Sequence, residues 1–204
     1  MTKRSYKQNC ALAQANDVIG ERWSLLLVRD LLVGPKRFGE LQQSLRGIGS
    51  NLLVSRLREL ESAGIVERLE EAENRHRYGL TDAGIALEPT LLSLVRWGLT
   101  YGPRNQRGYH HQDDWDLLAM KALFQANRAG DLSVCVQFET RDFAGWVAIK
   151  NHNVKVGLGQ ADSADLIVYG TIKDLFFDSR GDKLCSSRSK KTLKRFMSVF
   201  TLPG

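Results

Sequence analysis

Residues Gly34–Ala63, GPKRFGELQQSLRGIGSNLLVSRLRELESA, decide the fold. Phe38, Leu41 and Leu45 recur at the three- and four-residue spacings of one apolar helical stripe, so a first short helix is predicted from Phe38 to Leu45. Arg46-Gly47-Ile48-Gly49 then breaks it, because glycine accepts backbone angles that other residues resist. Ser50 is the expected cap of a second helix reaching Ala63. On a wheel of about 100° per residue, Leu53, Leu57 and Leu60 face a core, with Leu52 on the flank.

The opposite arc of that second helix carries Asn51, Ser55, Arg58 and Ser62. Asn pairs with adenine, Arg with guanine and Ser with either, so this arc has the chemistry to read a major groove. Arg56 stands at its edge, placed for a phosphate. A polar arc is also what a merely solvated helix shows, and the downstream context separates the two readings. Gly64 can end the helix, Ile65–Leu69 reads as a strand, and Arg75–Leu80 reads as its antiparallel partner. Two helices followed by a two-stranded wing make a winged helix-turn-helix. Arg75 and Arg77 share one face of the returning strand and are expected to meet phosphate, as are Lys36 and Arg37. The wing's leading side, Glu70-Glu71-Ala72-Glu73, is acidic, and its glutamates are expected to face solvent or to pair with Arg68.

Several motifs in order carry a resemblance: Cys10, Asp17-Val-Ile-Gly-Glu-Arg-Trp23, Gly34-Pro-Lys-Arg-Phe-Gly-Glu-Leu41, Ile48-Gly-Ser-Asn-Leu-Leu53, Arg56-Leu-Arg-Glu-Leu60 and Tyr78-Gly-Leu-Thr81. Over roughly its first half the chain resembles the HxlR family of bacterial transcriptional regulators. The resemblance implies a homodimeric regulator that binds double-stranded DNA. It also implies a redox- or electrophile-sensing role for Cys10, since some members carry a sensing cysteine at this place. The competing reading of Cys10 is a small, inert, buried residue.

Upstream, Cys10–Ile19 reads as a helix with Leu12, Ala15 and Ile19 inward, and Trp23–Leu32 as a second, more apolar one. Lys3, Arg4 and Lys7 in the leading arm are expected to stay in water. Downstream, Thr81 is a plausible cap for a helix bearing Leu87, Leu91, Leu92, Leu94, Val95, Trp97 and Leu99, with a kink or break at Pro89. That helix is apolar nearly all round, and the HxlR resemblance implies that it forms the dimer interface.

Residues 102–114, GPRNQRGYHHQDD, are polar and free of aliphatics. They set the expected division: a winged-helix and dimerisation domain over 1–102, a linker over 103–114 and a smaller domain over 115–204. His110, His111, Asp113 and Asp114 read as linker rather than metal site, with one of the aspartates capping the helix that begins near Trp115.

The second domain changes character. A helix to about Asn127 precedes β-rich runs at 132–139, 145–150, 153–158 and 166–170, then helices at 172–178 and 189–200. Short strands joined by Asp, Gly and Asn turns predict an antiparallel sheet covered by helices, making the chain α+β. The run Ala164-Asp-Leu-Ile-Val-Tyr-Gly170, a helix, a Gly181-Asp182 break and a final basic-apolar helix are similar to the sterol carrier protein domain. That resemblance implies an apolar tunnel. Phe138, Trp146, Val156, Leu166, Val168, Phe176, Phe177, Phe196 and Phe200 are the candidate lining, against the plainer reading of ordinary core. Residues 183–195 carry six basic side chains and no acids, namely Lys183, Arg188, Lys190, Lys191, Lys194 and Arg195, which suits a solvated face or an anionic contact.

The chain of 204 residues with 43% hydrophobic content can bury a real core. Its net charge of +6 is drawn almost evenly from both halves, so placement of charge matters more than the sum. Three cysteines without CxxC spacing argue against a disulfide framework or zinc knuckle and for a reducing cytoplasm. No secretory signal or spanning stretch is evident. An enzyme of the methyltransferase type would need a glycine-rich cofactor loop, and Gly157-Leu-Gly159-Gln-Ala-Asp162 lacks the third glycine, so neither enzyme nor cofactor is expected. A small-molecule or lipid carrier with a winged-helix dimerisation domain is the remaining alternative; a regulator whose second domain binds a small apolar ligand is the leading one.

Overall fold

The computed structural model describes residues 5–71, 75–103, 108–177 and 190–201. The chain is mixed α and β and divides into two compact units, residues 1–91 and 92–204. The boundary between the units falls after Leu91, inside a helix.

In the first unit, α1 (Ala11–Ile19) and α2 (Ser24–Leu32) precede the pair α3 (Phe38–Ser44) and α4 (Ser50–Ser62). Leu27, Val28 and Leu31 of α2, Leu41 of α3 and Leu53, Leu57 and Leu60 of α4 are all nearly inaccessible and share one core with Leu45, Ile48, Ile65, Val66, Tyr78 and Leu91. Phe38 and Trp23 pack against its margin. The apolar spacing of α3 and α4 therefore converts directly into burial. Gly47 adopts a left-handed φ of 96° in the turn between α3 and α4, and Gly64 does the same at 70° where α4 ends.

The strands β1 (Val66–Glu71) and β2 (Arg75–Leu80) pair antiparallel, from Val66 opposite Leu80 to Glu71 opposite Arg75. Lys36 joins this ribbon through its backbone, with Lys36 N–H donating to Tyr78 O at 3.0 Å and Tyr78 N–H to Lys36 O at 2.8 Å. That exchange ties the entrance of α3 to the wing. Thr81 caps the short α5 (Asp82–Ile85) as expected, its Oγ1 accepting from Gly84 N–H at 3.2 Å. The helix then stops and restarts as α6 (Glu88–Tyr101), with Pro89 in the first turn, where its missing N–H costs nothing.

Two local expectations differ. Cys10 and Gly49 occupy the cap positions of α1 and α4, so Ser50 is the first residue of α4, and its hydroxyl accepts from Gln42 Nε2 at 2.6 Å. In α1 the buried residue is Ala13, while Leu12 is 70% exposed.

In the second unit, α7 (Asp113–Leu123) and α8 (Ala126–Ala129) lead into β3 (Val134–Glu139), β4 (Ala144–Lys150), β5 (Asn153–Leu158) and β6 (Leu166–Tyr169), then α9 (Ile172–Phe177) and α10 (Lys190–Met197). Gln112 is the residue before α7, and Asp113 and Asp114 lie in its first turn rather than capping it. Arg96 of α6 donates to Ala122 O at 3.1 Å.

The sheet order is β5-β4-β3-β6, and it is mixed, not antiparallel: β6 runs parallel to β3. The cause is the connection 159–165, which carries the chain from one edge of the sheet to the other instead of closing a third hairpin. Gln137 on β3 holds that connection, Nε2 donating to Gly159 O at 3.1 Å and Oε1 accepting from Ala161 N–H at 2.8 Å. The alternate residues Val134, Val136, Phe138, Val147, Ile149, Leu166 and Val168 are buried together with Leu117, Leu118 and Met120 of α7 and Phe196 of α10. Among the described residues, no helix is long and apolar enough to cross a membrane.

Candidate nucleic-acid interface

The outward arc of α4 presents Asn51, Ser55, Arg58 and Ser62, all exposed, around a shallow open hollow also lined by Val54 and Glu59. The same helix turn that buries Leu53, Leu57 and Leu60 makes this arc face water. Ser55 Oγ donates to Glu59 Oε1 at 2.9 Å, so Ser55 and Glu59 act as one hydrogen-bonded pair on the surface. An arc with an amide, two hydroxyls, a guanidinium and one carboxylate can donate to and accept from base edges.

The positively charged surround is arranged differently from the expectation. Lys36 is 7% exposed, and its backbone exchanges hydrogen bonds with that of Tyr78. Arg56 is 8% exposed; it pairs with Glu59 one turn along and, at 3.4 Å, with Glu21. Both are positioned as internal supports of α3 and α4. Arg37 donates to Glu71 at 2.7 Å, and Arg77 lies 2.6 Å from the other oxygen of the same carboxylate. Glu71 therefore ties the entrance of α3 to the returning wing strand. The Arg37 hydrogen bond holds its carboxyl below the ordinary range, and the nearby charges of Arg37, Arg77 and Arg75 reinforce this. Arg68 pairs with Glu61 at 2.7 Å rather than with a wing glutamate. Arg75 is exposed at the strand start, opposite Glu71. Residues 72–74, which include Glu73, lie outside the described residues, as do Lys3, Arg4, Lys183, Arg188 and the Gly181-Asp182 break.

The candidate lining of the second unit is divided by the pleat of the sheet. Phe138, Leu166, Val168, Phe196 and Phe200 are buried together, with ring centroids 6.4 Å apart for Phe138–Phe196 and 4.9 Å for Phe196–Phe200. Val156 pairs with Val147 and joins that face half-buried. Trp146 is one residue out of phase and lies on the opposite face, its indole covering Gly157 so closely that a Cβ there would sit 2.6 Å from the ring. The side chains of Phe176 and Phe177 lie outside the described residues.

Cys10 is exposed rather than buried, and the backbone amides of Ala13 and then Leu12 at the start of α1 draw its thiol pKa down. Two of the residues read above as linker, His111 and Asp113, come together with a third that the sequence did not single out, Asp116, one donor atom of each lying within 4.8 Å of the others. Burial holds the Asp116 carboxyl above its ordinary range, against the opposing pull of His111. Asp116 was hidden because it reads as an ordinary residue of an amphipathic helix, and only the fold-back of residue 111 gives it company.

Residues 18–106 match the HxlR-like helix-turn-helix family. An uncharacterized HTH-type transcriptional regulator of Mycobacterium tuberculosis, Rv3095, is 40% identical over 96 residues, covering 46% of this chain and 60% of that protein. The chain thus spans less than two thirds of that relative's length. The uncharacterized HTH-type transcriptional regulator YvaP of Bacillus subtilis is 40% identical over 86 residues, 41% of this chain and 80% of YvaP. The crystal structure of PA1607 aligns with a TM-score of 0.45 at 39% identity, over 52% of this chain and 73% of that one. With four fifths of YvaP matched, and with the helix pair, wing and caps described above, the chain belongs to the HxlR-like helix-turn-helix family.

Proposed function

We propose that the protein is a sequence-specific, double-stranded-DNA-binding transcriptional regulator, a repressor that works as a homodimer. The observation that carries this is the exposed arc Asn51, Ser55, Arg58 on a helix whose other side is locked into the core, with the wing beside it. Asn51, Ser55 and Arg58 read bases, Ser50 stands at the helix start, and Arg37, Arg75 and Arg77 position on phosphates. Lys36 and Arg56 hold the frame. Support for the dimer comes from α6, where Leu94, Trp97, Leu99 and Tyr101 are each about half exposed or more. An apolar surface of this extent is what an interface between copies presents.

On this reading two recognition helices stand about 34 Å apart, one turn of DNA. On the resemblance that the sequence carries to the sterol carrier protein domain, the second unit takes a small apolar effector, with Phe138, Val156, Val168 and Phe196 as candidate lining. Footprinting on the DNA upstream of the protein's own coding sequence tests the proposal. Two protected half-sites one turn apart are expected; protection without periodicity or sequence preference would refute it.

A second reading rests on Cys10, whose exposure and lowered thiol pKa suit a sensor of oxidants or electrophiles. Alkylation of the intact protein with N-ethylmaleimide should change operator affinity, and Cys10→Ser should abolish the change. Retention of the full effect in Cys10→Ser would remove this role.

A further inference from the structure

We propose that His111, Asp113 and Asp116 form a binding site for a divalent first-row transition-metal ion, three donors on one side of the cation and water on the other. The site lies wholly in the second unit and is independent of the DNA-reading arc.

Three features of the local chain build it. Asp113 and Asp116 are the first and fourth residues of α7, and a spacing of three places both carboxylates on one side of the helix. His111 stands two residues before the helix, with His111 Nε2 3.2 Å from Asp116 Oδ2 and 3.9 Å from Asp113 Oδ1. Trp115, four residues on, meets the His111 imidazole edge-on at a centroid distance of 6.1 Å and that of His110 at 5.5 Å. The side chains are 38%, 32% and 19% exposed for His111, Asp113 and Asp116, so an ion can enter and yet be partly shielded.

The donor set selects the class of ion. A first-row cation sits about 2.0–2.2 Å from nitrogen and carboxylate oxygen, which asks for donor atoms roughly 3 Å apart. One edge of the triangle, at 3.2 Å, already meets that, and an ion would have to draw the Asp113 carboxylate in from 3.9 Å. One imidazole with two carboxylates favours manganese, iron(II), cobalt, nickel or zinc over calcium and magnesium, which prefer oxygen alone. Two carboxylates match the charge of a divalent ion, which would compete for them with Lys173 and with the positive end of the α7 dipole. The competing account is that the acids serve only that dipole and that His111 clasps Asp116 without metal.

The test uses the full-length, tag-free protein stripped with chelator and titrated with cobalt(II) and manganese(II). It is followed by calorimetry and by fluorescence, since cobalt beside His111 would quench Trp115. One equivalent is expected to bind per chain, with at least tenfold weaker binding in each of His111→Ala and Asp116→Asn and unchanged binding in His110→Ala. Circular dichroism of the variants excludes unfolding as the cause. Absence of binding at millimolar metal, or binding that survives in the double variant His111→Ala/Asp116→Asn, would overturn the site.

Discussion

Arg37 and Glu71, 34 residues apart in the chain, are joined by a hydrogen bond of 2.7 Å that fastens the entrance of the first helix of the motif to the end of the first wing strand. Glu71 also lies 2.6 Å from Arg77, so one carboxylate restrains two of the guanidinium groups assigned to phosphate.

Replacing Glu71 by Gln removes a negative charge from a surface that approaches DNA and releases both arginines. Affinity for any duplex should rise, and the slope of log affinity against log salt should steepen by about one. Anisotropy titrations at several salt concentrations check this; a fall in affinity would mean that the carboxylate's ordering of Arg37 and Arg77 outweighs its charge.

The same pair carries a pH dependence. Because the folded-state pKa of Glu71 is depressed, the stabilisation it gives is present above its unfolded pKa and fades as pH falls through the folded value. Wild type should therefore lose stability relative to Glu71→Gln on acidification from neutral pH, as followed by urea denaturation. Parallel profiles would show that the pair adds nothing to folding.

Arg58→Ala and Arg75→Ala separate base reading from phosphate contact. The first should relax preference at one base position by about 1–3 kcal/mol, and the second should weaken all sequences alike and reduce the salt slope by about one. Equal losses on every sequence for both variants would remove the division of roles.

Trp97, 61% exposed on α6, is the residue whose replacement by Glu should break the proposed dimer with least damage to the core. Sedimentation should then show monomers, and operator binding should become weak. A wild-type protein that is itself monomeric at micromolar concentration would contradict the interface.

Leu57, 1% exposed at the centre of α4's buried face, should cost about 2–5 kcal/mol as Ala. Gly84→Ala should also destabilise, by about 1–3 kcal/mol, since its Cβ would press on the Ile65 carbonyl oxygen. Chemical denaturation measures both.

The helix pair was legible because Leu41, Leu53, Leu57 and Leu60 keep helical period and glycines mark the turns, and period converts into burial with little help from the rest of the chain. The wing was legible from Gly64 and the strand pattern. What escaped depends on partners distant in sequence. Lys36 and Arg56 look like surface cations until the Tyr78 exchange and the Glu21 contact draw them in. The parallel placement of β6 is set by where residues 159–165 cross the sheet, and nothing in strand composition encodes it. Trp146 shares its strand with core residues, yet one step of register places it on the other face.

Selection from a library of randomised duplexes, followed by anisotropy on the enriched sequence and a scrambled control at two salt concentrations, tests the central claim most directly. The account predicts a two-fold-symmetric motif with half-sites one turn apart, and a preference over the scrambled duplex of about a hundredfold or more at both salts. Failure to enrich any sequence, with binding that falls equally with salt on every duplex, would leave phosphate contact alone and contradict a base-reading role for Asn51, Ser55 and Arg58.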